Sequence, residues 1–468
     1  MIGLLAAAIP LAFYLAYPST YWNFDGVACA AALELGNPVY LFHAQHLLYG
    51  FLGFLAWKLL LPLGMHRALP ALQMFTSVLA SASLYVLWRV LAALSKDAWL
   101  AFFLTCAAGF SAVFWMWSVE AQVYSLGVLG LAAATFFLLS EDAPLRMRRV
   151  GFWHGVAVLG HLVHGLWMIP ASYWIYKRKL PVRPYLAAFV GTVAVAYTAV
   201  AVFVLRPYHG HGDWLSHWIK GSLGLSADRS LAWHWPGGSG ILQWTQATPG
   251  VLWGTWTSDA GPVAPWIHGL TLLSILFLAG WTARSARRGK SSALVIFNGI
   301  WLGSYAIFFS TWEPRTLCYR MSDLIPFTLL LMSACLVWPA RRWRLAIAGC
   351  WMASLGVINF FTVARPLHNS LNNETYQQTL ALARLTPVQS LYLTPGGLSW
   401  MYLLYFTGRS AWNVHTLSMN EFDKSWSALQ PRPALYAANV LLQDPAAAPW
   451  LAHHHLKMLP GLSWLEVS

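Results

Sequence analysis

The sequence has little charge. Only 10% of its 468 residues are Asp, Glu, Lys or Arg, whereas a soluble domain carries about 25%. Hydrophobic residues make up 58% of the chain, and the mean hydropathy is +0.53. This composition excludes an ordinary soluble domain and is typical of a polytopic membrane protein.

Negative charge is the scarcer sign. Lys and Arg number 29 against 16 Asp and Glu, which gives a formal net charge of +13. Such an excess can indicate a nucleic-acid partner, but here the basic residues form short clusters between apolar runs. Membrane proteins mark their cytoplasmic loops in this way. We therefore expect a membrane-embedded protein that binds no nucleic acid.

Paired cysteines and repeats are also lacking. The five Cys, at 29, 106, 318, 335 and 350, have no motif spacing and mostly lie in apolar runs, which argues against a disulfide framework or a cysteine metal cage. No internal repeat or low-complexity tract is visible. The first apolar run has no basic residues before it and no small-residue cleavage site before Tyr21. We expect it to be a retained first span rather than a removed signal peptide.

Long apolar runs are abundant and predict membrane spans, because a hydrocarbon core of about 30 Å needs about 20 helical residues. The clear candidates are 2–18, 70–91, 98–117, 121–140, 185–205, 266–282, 293–311, 321–339 and 343–363. Two further runs, 45–63 and 150–176, are ambiguous by length and composition.

The basic clusters resolve both ambiguous runs. The clusters are Arg89 with Lys96; Arg146, Arg148 and Arg149; Lys177, Arg178, Lys179 and Arg183; Arg284, Arg287, Arg288 and Lys290; and Arg341, Arg342 and Arg344. All five fall on one side only if 45–63 lies along the outer face and 150–176 is a hairpin of two short helices with its turn at GHLVHG. The sequence then predicts eleven transmembrane helices, with the N-terminus cytoplasmic and the C-terminus extracytoplasmic.

This topology predicts the division of the chain into domains. Residues 1–363 form the transmembrane domain, with outer loops at 19–69 and 206–265. Residues 364–468 form a small extracytoplasmic α/β domain, since SLYLT (390–394) and NVHTL (413–417) resemble strands and LSWMYLLYF (398–406) resembles a helix.

Two carboxylates on the predicted outer face are candidate catalytic residues. Asp25 follows the first span in YWNFDG, where it is either the N-cap of the next helix or a general base. Glu120 stands in the SVEAQ turn between two apolar helices, as a solvated turn residue or as a functional group. A carboxylate at membrane depth costs about 2–3 kcal/mol, which favours a function.

Histidines occur in two pairs with i, i+3 spacing. His43 and His46 lie in LFHAQHLLYG, and His161 and His164 lie in the GHLVHG turn. The pairs could ligate zinc, or they could hydrogen-bond the backbone or bind a phosphate; we favour donation of a hydrogen bond to a substrate oxygen. We assign no metal site and give no role to the HHHL run at 453–456.

Arginines mark the point where the chain re-enters the membrane, in TWEPRTLCYRMSDLIPF. Arg315 and Arg320 could bind a phosphate bidentately. The alternative is a charge pair with Glu313 or Asp323. The Trp- and His-rich loop RPYHGHGDWLSHWIKGSLG suits either stacking on sugars or anchoring in the headgroup layer.

Taken in order, these segments resemble the GT-C superfamily of membrane glycosyltransferases over residues 1 to 340. The resemblance rests on Asp25 in the first outer loop, on FHAQHLLYGFLGFLAWKL as a semi-embedded helix, and on Glu120 in the next outer turn. The hairpin GVAVLGHLVHGLWMIPASYWIYKRK and the stretch EPRTLCYRMSDLIPFTLLL complete it. The chain departs from the family pattern in lacking prolines at 44–47 and a second acidic neighbour beside Glu120.

The resemblance implies a sugar transferase, of the O-mannosyltransferase-like or aminoarabinose-transferase-like kind, with a polyprenyl-phosphate sugar donor and an inverting mechanism. Asp25 would activate the acceptor hydroxyl with the help of Glu120, while Arg315, Arg320, His43 and His46 would bind the donor phosphate. The substrate pocket would be lined by His161, His164, Trp117, Tyr124, Trp312 and Tyr319. A protein, lipid or glycan would accept the sugar at the outer face of the plasma (inner) membrane. No cofactor is implied firmly, and a divalent cation has only weak support.

Two other readings stay open. A transporter or flippase would place ionisable residues mid-membrane and often shows inverted repeats; here the acidic residues gather at one predicted surface. A non-catalytic assembly subunit with a GT-C-derived fold would tolerate loss of Asp25. Sugar, acceptor and oligomeric state are not encoded in any motif.

Overall fold

The structure is a computed structural model that describes residues 1–36, 41–139, 145–209, 238–254, 280, 292–338, 340–415, 418–429 and 431–468. The predicted span 266–282 and the basic cluster at 284–290 lie outside the described residues, apart from Gly280. So do the segments 210–237 and 255–265 of the predicted outer loop. The chain divides into two compact units: Met1–Ser19 with Ala32–Leu367, and Thr20–Ala31 with His368–Ser468.

The first unit consists mainly of helices in its described part, as its apolar runs predict. Its main helices are α1 (Ile2–Ala16), the end of α2 (Phe24–Leu35), α3 (Tyr49–Leu60), α4 (Ala68–Ser95), α5 (Ala98–Gly109), α6 (Ala112–Ser118), α7 (Tyr124–Leu139), α8 (Arg146–Gly160), α9 (Met168–Arg178), α10 (Val182–Val200), α11 (Gly238–Ala247), α12 (Ser292–Thr311), α13 (Leu324–Cys335) and α14 (Arg341–Asn359).

Four stretches of helix in the described part are long and apolar enough to cross a membrane. They are Ala68–Ser95, Val182–Leu205, Ala293–Thr311 and Arg341–His368. A fifth candidate is the pair α5 and α6, which is bent by 67° at its break. Ile2–Ala16, Tyr49–Leu63 and Tyr124–Leu139 are apolar but shorter.

The start of α4 is tied to the turn that carries Glu120. Gln73 donates from Nε2 to the carbonyls of Ser19, at 2.7 Å, and of Val119, at 3.0 Å. Ser77 donates to the carbonyl of Ser118, at 2.8 Å. These small polar side chains recur at i and i+4 on one helix face, so one end of α4 fixes the α6–α7 turn.

The other end of α4 carries basic residues. The guanidinium of Arg89 lies 4.4 Å from the ring centre of Phe136, at the far end of α7. Beyond α4, Asp97 forms a bidentate pair with Arg341 at the start of α14, with N–O distances of 2.7 and 3.1 Å. Because α4 has 28 residues and rises about 1.5 Å per residue, basic clusters and the Glu120 turn occupy opposite ends of it.

The predicted hairpin at 150–176 is present. α8 ends at Gly160, a 3₁₀ segment covers Leu162–Trp167, and α9 follows. Arg146 begins α8 and Arg178 ends α9, so both basic ends of the hairpin point back from the GHLVHG turn. The second ambiguous run forms α3 and a 3₁₀ turn at Leu61–Leu63.

The second unit is built on a five-stranded sheet. Its strands are β1 (Leu391–Thr394), β2 (Ser410–Asn413), β3 (Leu435–Ala438), β4 (Leu456–Met458) and β5 (Trp464–Val467), in the order β2-β1-β3-β5-β4. β1 pairs in parallel with β2 and β3, and β5 pairs antiparallel with β3 and β4. Its helices are α15 (Glu374–Leu385), α16 (Gly397–Thr407) and α17 (Met419–Ala428).

The secondary structure predicted at 390–417 is confirmed in two of its three parts. β1 and α16 lie where the sequence placed them. The second strand was predicted at 413–417 but runs from Ser410 to Asn413, because Gly408, with φ of 65°, ends α16 and the chain pairs with β1 at once.

Candidate functional site

Glu120 is a buried carboxylate of the first unit. Only 2% of the residue is exposed, and Oε1 accepts a hydrogen bond of 2.5 Å from the hydroxyl of Ser19. The turn around it is held by Gln73 and Ser77 of α4. Because α6 ends at Ser118 and α7 begins at Tyr124, the intervening residues are non-helical and the carboxylate lies at a rigid corner rather than on a helix face.

An aromatic and histidine cluster adjoins the start of α7. The ring of Tyr124 stacks on His161 with centroids 5.3 Å apart and meets Tyr319 edge-on at 5.5 Å. His161 and Tyr319 are themselves 5.6 Å apart, and Trp117 lies 6.5 Å from Tyr124. Four residues predicted from three distant segments are thus brought together. We call Tyr124, His161 and Tyr319 the His161 cluster.

His164 adjoins this cluster, with its ring centroid 6.1 Å from that of His161, and Trp312 lies just beyond α12 in the chain. His164 is buried, and its Nδ1 is 3.3 Å from the hydroxyl of Tyr305. Trp312 packs against Phe308 of α12, with centroids 6.5 Å apart, and Phe309 stacks on Tyr319 at 5.3 Å. Trp312 is therefore linked to Tyr319 of the cluster through the neighbouring residues Phe308 and Phe309 of α12.

Two residues that sequence reasoning missed fix the GHLVHG turn. His154 on α8 is fully buried, with Nε2 3.0 Å from the carbonyl of His164 and Nδ1 2.8 Å from the hydroxyl of Tyr185. The carbonyl can only accept, so Nε2 carries the proton and Tyr185 donates to Nδ1. Gly127 also constrains this turn, because it packs so closely that an added Cβ would lie 2.4 Å from the His164 ring. No spacing pattern pairs positions 154 and 185.

The His43–His46 turn contacts the same hairpin. The two imidazole rings stack with centroids 4.2 Å apart. Leu162 donates its backbone N–H to the carbonyl of Gln45, at 2.9 Å, and Leu48 donates to the carbonyl of Leu159, at 3.1 Å. The fold therefore places the first histidine pair beside the second. The rings stack face to face, and among the described residues no three His, Cys, Asp or Glu side chains form a metal-binding group.

The two predicted phosphate-binding arginines differ in environment. Arg320 is 4% exposed and pairs with Asp323, with Nε 2.9 Å from Oδ2. Its Nη1 donates to Thr248 Oγ1 at 2.9 Å, and its guanidinium lies 4.2 Å from the ring centre of Trp244. The charge pair with Asp323, one of the two sequence interpretations, is thus observed. Arg315 is exposed and has neither a hydrogen bond nor an ion pair with any described residue.

Asp25 belongs to the second unit and is exposed. It is the second residue of α2, and the cap of this helix is Asn23, whose Oδ1 accepts the N–H of Gly26 at 2.9 Å. Asp25 is therefore not the N-cap. Its negative charge in the first turn is favoured by the helix dipole. Burial and the Asp25 charge raise the pKa of Cys29 to about 12, so this thiol stays protonated.

The segment before Asp25 is clamped by the C-terminal part of the second unit. Asn373 donates from Nδ2 to the carbonyl of Thr20, at 3.0 Å, and to the hydroxyl of Tyr402, at 3.1 Å. Tyr402 in turn donates to the carbonyl of Trp22. The Trp22 ring lies against Phe406 at 4.7 Å. We call Asn373 and Tyr402 the carbonyl clamp.

Comparisons with known proteins agree with this architecture. No protein-family model matches the chain, and no curated protein matches it by sequence. Among solved structures, ArnT from Cupriavidus metallidurans in the apo state matches with a TM-score of 0.63 at 12% identity, over 99% of this chain and 97% of ArnT. ArnT bound to undecaprenyl phosphate matches over the same shares, with a TM-score of 0.60 at 13% identity.

The two ArnT structures establish the fold of the chain. ArnT is an aminoarabinose transferase of the GT-C superfamily, and the agreement extends over nearly the full length of both chains. The resemblance read from Asp25, Glu120 and the hairpin is confirmed at the level of the fold. The chain is a mainly helical protein with a small C-terminal sheet and has the GT-C fold of ArnT.

Proposed function

We propose that this protein is an integral membrane glycosyltransferase that takes a sugar from a polyprenyl-phosphate donor and transfers it to an acceptor hydroxyl. The observation that carries the proposal is the near full-length agreement with ArnT, including its undecaprenyl-phosphate-bound state. The His161 cluster supports it, since aromatic faces and imidazoles suit a sugar or its phosphate.

Asp25 is proposed as the general base. Glycosyl transfer requires removal of the acceptor's hydroxyl proton as the new bond forms, and an exposed carboxylate can reach that proton. Its position on a helix held by the carbonyl clamp limits its movement. Inversion at the anomeric carbon would follow from direct attack by the activated hydroxyl.

Glu120 and the arginines are proposed to stabilise charge. The sugar becomes positive in the transition state, and the departing phosphate becomes negative. Glu120, fixed by Ser19, provides a preorganised negative charge, while Arg315 provides an exposed cation for the phosphate, with Arg320, His43 and His46 assisting. Each of these roles is assigned to a single residue and is tested by substituting that residue alone.

The arrangement in the membrane is also proposed. The basic residues Arg89, Arg146 and Arg341 lie at the end of the first unit away from the Glu120 turn. Cytoplasmic placement of that end follows the positive-inside rule. We infer eleven transmembrane helices with the Glu120 turn and the C-terminus extracytoplasmic, in the plasma (inner) membrane, and domains at 1–363 and 364–468.

The experiment measures sugar transfer by purified protein from defined undecaprenyl-phosphate sugars. We expect Asp25→Asn to lower kcat by about 10²-fold or more, because general-base catalysis contributes about 10²–10⁴-fold. Glu34→Gln is the matched control. Glu34 lies on the same helix, where its Oε1 accepts from the N–H of Ala68 at 2.8 Å, and a glutamine oxygen keeps that bond.

Full transfer activity in Asp25→Asn would remove this residue from the mechanism. Transfer by neither variant nor wild type, combined with sugar-lipid movement across liposome membranes, would favour a flippase instead. An inactive wild type whose loss from cells is rescued equally well by Asp25→Asn would point to an assembly subunit.

A further inference from the structure

Two buried glutamines in the first unit have opposite surroundings. Gln73 is 7% exposed and uses its side-chain N–H groups on the carbonyls of Ser19 and Val119. Gln122 is 2% exposed, and its Oε1 is buried with no hydrogen-bond partner among the described residues. A buried polar atom without a partner is uncommon, because it loses its bonds to water and gains none.

The backbone of Gln122 is firmly held, so the state of its side chain is not a sign of a loose loop. Its N–H lies 3.3 Å from the Thr76 hydroxyl oxygen, which also approaches its carbonyl at 3.4 Å. Thr76 is in turn 2.8 Å from the hydroxyl of Tyr49. Side chains of α3 and α4 therefore hold the backbone of Gln122, whereas its amide oxygen contacts no donor among the described residues.

The position of Gln122 associates it with the proposed site. It lies two residues after Glu120 and two before Tyr124 of the His161 cluster. The Nε1 atom of Trp117 and the hydroxyl of Ser125, on either side of it in the chain, are also buried and without a partner among the described residues. A binding site without its polar ligand contains buried polar atoms that lack a hydrogen-bond partner, as these do.

The chemistry of the amide oxygen decides which part of a donor it fits. An amide oxygen is an acceptor and must be met by a donor. The phosphodiester of the donor, a monoanion, offers acceptors only and is repelled, whereas a sugar hydroxyl or amino group donates. We propose that Gln122 recognises the transferred sugar of the lipid donor through a hydrogen bond from a hydroxyl or amino group to Oε1. This inference rests on the proposed function and adds the residue that senses the sugar.

The first test needs no substrate. Gln122→Met keeps the length of the side chain and removes its polar end, so we expect the melting temperature of the purified protein without lipid to stay the same or rise. Gln73→Met is the matched control and should melt at a lower temperature, because two backbone carbonyls lose their donor. If Gln122→Met is destabilised as much as Gln73→Met, the amide has a structural partner such as an ordered water, and the inference is overturned.

The second test measures thermal stabilisation by lipids. The probes are undecaprenyl phosphate and its mannosyl, glucosyl and aminoarabinosyl esters. Wild type should gain more from one glycosylated lipid than from undecaprenyl phosphate, and Gln122→Met should lose that extra gain with about tenfold weaker affinity for the glycosylated lipid, as expected for one lost hydrogen bond. Its response to undecaprenyl phosphate should not change.

The outcomes separate the two proposals. Stabilisation of wild type by the glycosylated lipid with an equal gain in Gln122→Met leaves the transferase standing and overturns the role of Gln122. A wild type that responds to none of the four lipids overturns the proposed function, and this inference falls with it.

Discussion

The two candidate catalytic carboxylates have opposite environments. In the first unit, Glu120 is buried at a rigid turn, and its carboxylate accepts a hydrogen bond from Ser19. In the second unit, Asp25 is exposed on the first turn of a helix whose approach is fixed through backbone carbonyls. Glu120 is held through its own carboxylate, whereas Asp25 is held through backbone carbonyls of the segment that precedes its helix.

We propose that this difference reflects a division of labour between the two carboxylates. A general base must exchange a proton with a substrate, so exposure and a short reach are useful to Asp25. A group that stabilises transition-state charge acts best when it is fixed and shielded from water, which describes Glu120. We therefore expect mutations at 120 to act on stability and catalysis together, and Asp25→Asn, which also removes a charge favoured by the helix dipole, to act mainly on catalysis.

After Asp25→Asn, the largest expected effect comes from Glu120. Glu120→Gln keeps an acceptor for the Ser19 hydroxyl and loses the charge, so we expect a folded protein whose transfer rate falls by about 10²–10³-fold, the range for losing one preorganised electrostatic group. Glu120→Ala should in addition lower the free energy of unfolding by about 1–3 kcal/mol, because a buried hydrogen bond is lost. Steady-state kinetics and thermal melts measure the two effects.

Ser19→Ala separates these contributions, since it keeps the charge and removes the donor. It should be less stable than wild type and more active than Glu120→Gln. Equal activity of Glu120→Gln and wild type would contradict the division of labour at its first step.

The carbonyl clamp gives an intermediate effect. Asn373 also caps α15, through a bond of 3.1 Å from the N–H of Tyr376 to Oδ1. Asn373→Asp keeps this cap but has no N–H to donate to Thr20, so kcat should fall about tenfold with KM little changed, as expected when a catalytic group is misplaced. Asn373→Ala loses the cap as well, so its free energy of unfolding should be lower than that of wild type by about 0.5–2 kcal/mol.

A structural role alone would lower the yield of both Asn373 variants without changing kcat per folded molecule. The same assay in an Asp25→Asn background provides the decisive control. There the Asn373→Asp substitution should cost nothing further, because the group that it positions is already absent.

The smallest effect is expected at Asp97, a third carboxylate at the far end of α4. The hydrogen bond from Arg341 lowers the pKa of Asp97, although desolvation opposes it. The pair therefore stabilises the fold above pH 3.8, the ordinary value, and its contribution is lost as the pH falls below that value. Asp97→Asn keeps the cap of α5 and should leave transfer unchanged, with a slightly lower melting temperature that depends less on acid.

Since Arg341 is 60% exposed, the pair is screened by solvent and its loss should be felt least of all. A loss of transfer in Asp97→Asn comparable to that in Asp25→Asn would contradict the proposed roles of the carboxylates, because it would show that substitution of any carboxylate inactivates the protein.

Much of the architecture could be predicted from local patterns. Apolar runs and basic clusters located the helices and the hairpin, and they placed Tyr124, His161 and Tyr319 in segments that the fold brings together. The strand–helix order of the C-terminal domain followed from periodicity, except for the start of β2. Its register depends on pairing with β1, which no local pattern specifies.

The missed residues share one property: their partners are distant in the chain. His154 is held by Tyr185, Asn373 by Thr20 and Gln122 by Thr76. Isolated polar residues leave no periodic signal, so their pairing is visible only after folding. The same reason hid the grouping of residues 20–31 with the C-terminal unit, since the linking bonds join Thr20 and Trp22 to residues more than 350 positions later.

This long-range clamp has a consequence for biosynthesis. At about 5–20 residues per second, the ribosome reaches Asn373 and Tyr402 tens of seconds after the N-terminal helix has been made. Until then the helix bearing Asp25 lacks the bonds that Asn373 and Tyr402 make to the segment before it. A nascent chain released before residue 402 would therefore carry an Asp25 helix without this clamp, and this part of the fold can be completed only after residue 402 has been made.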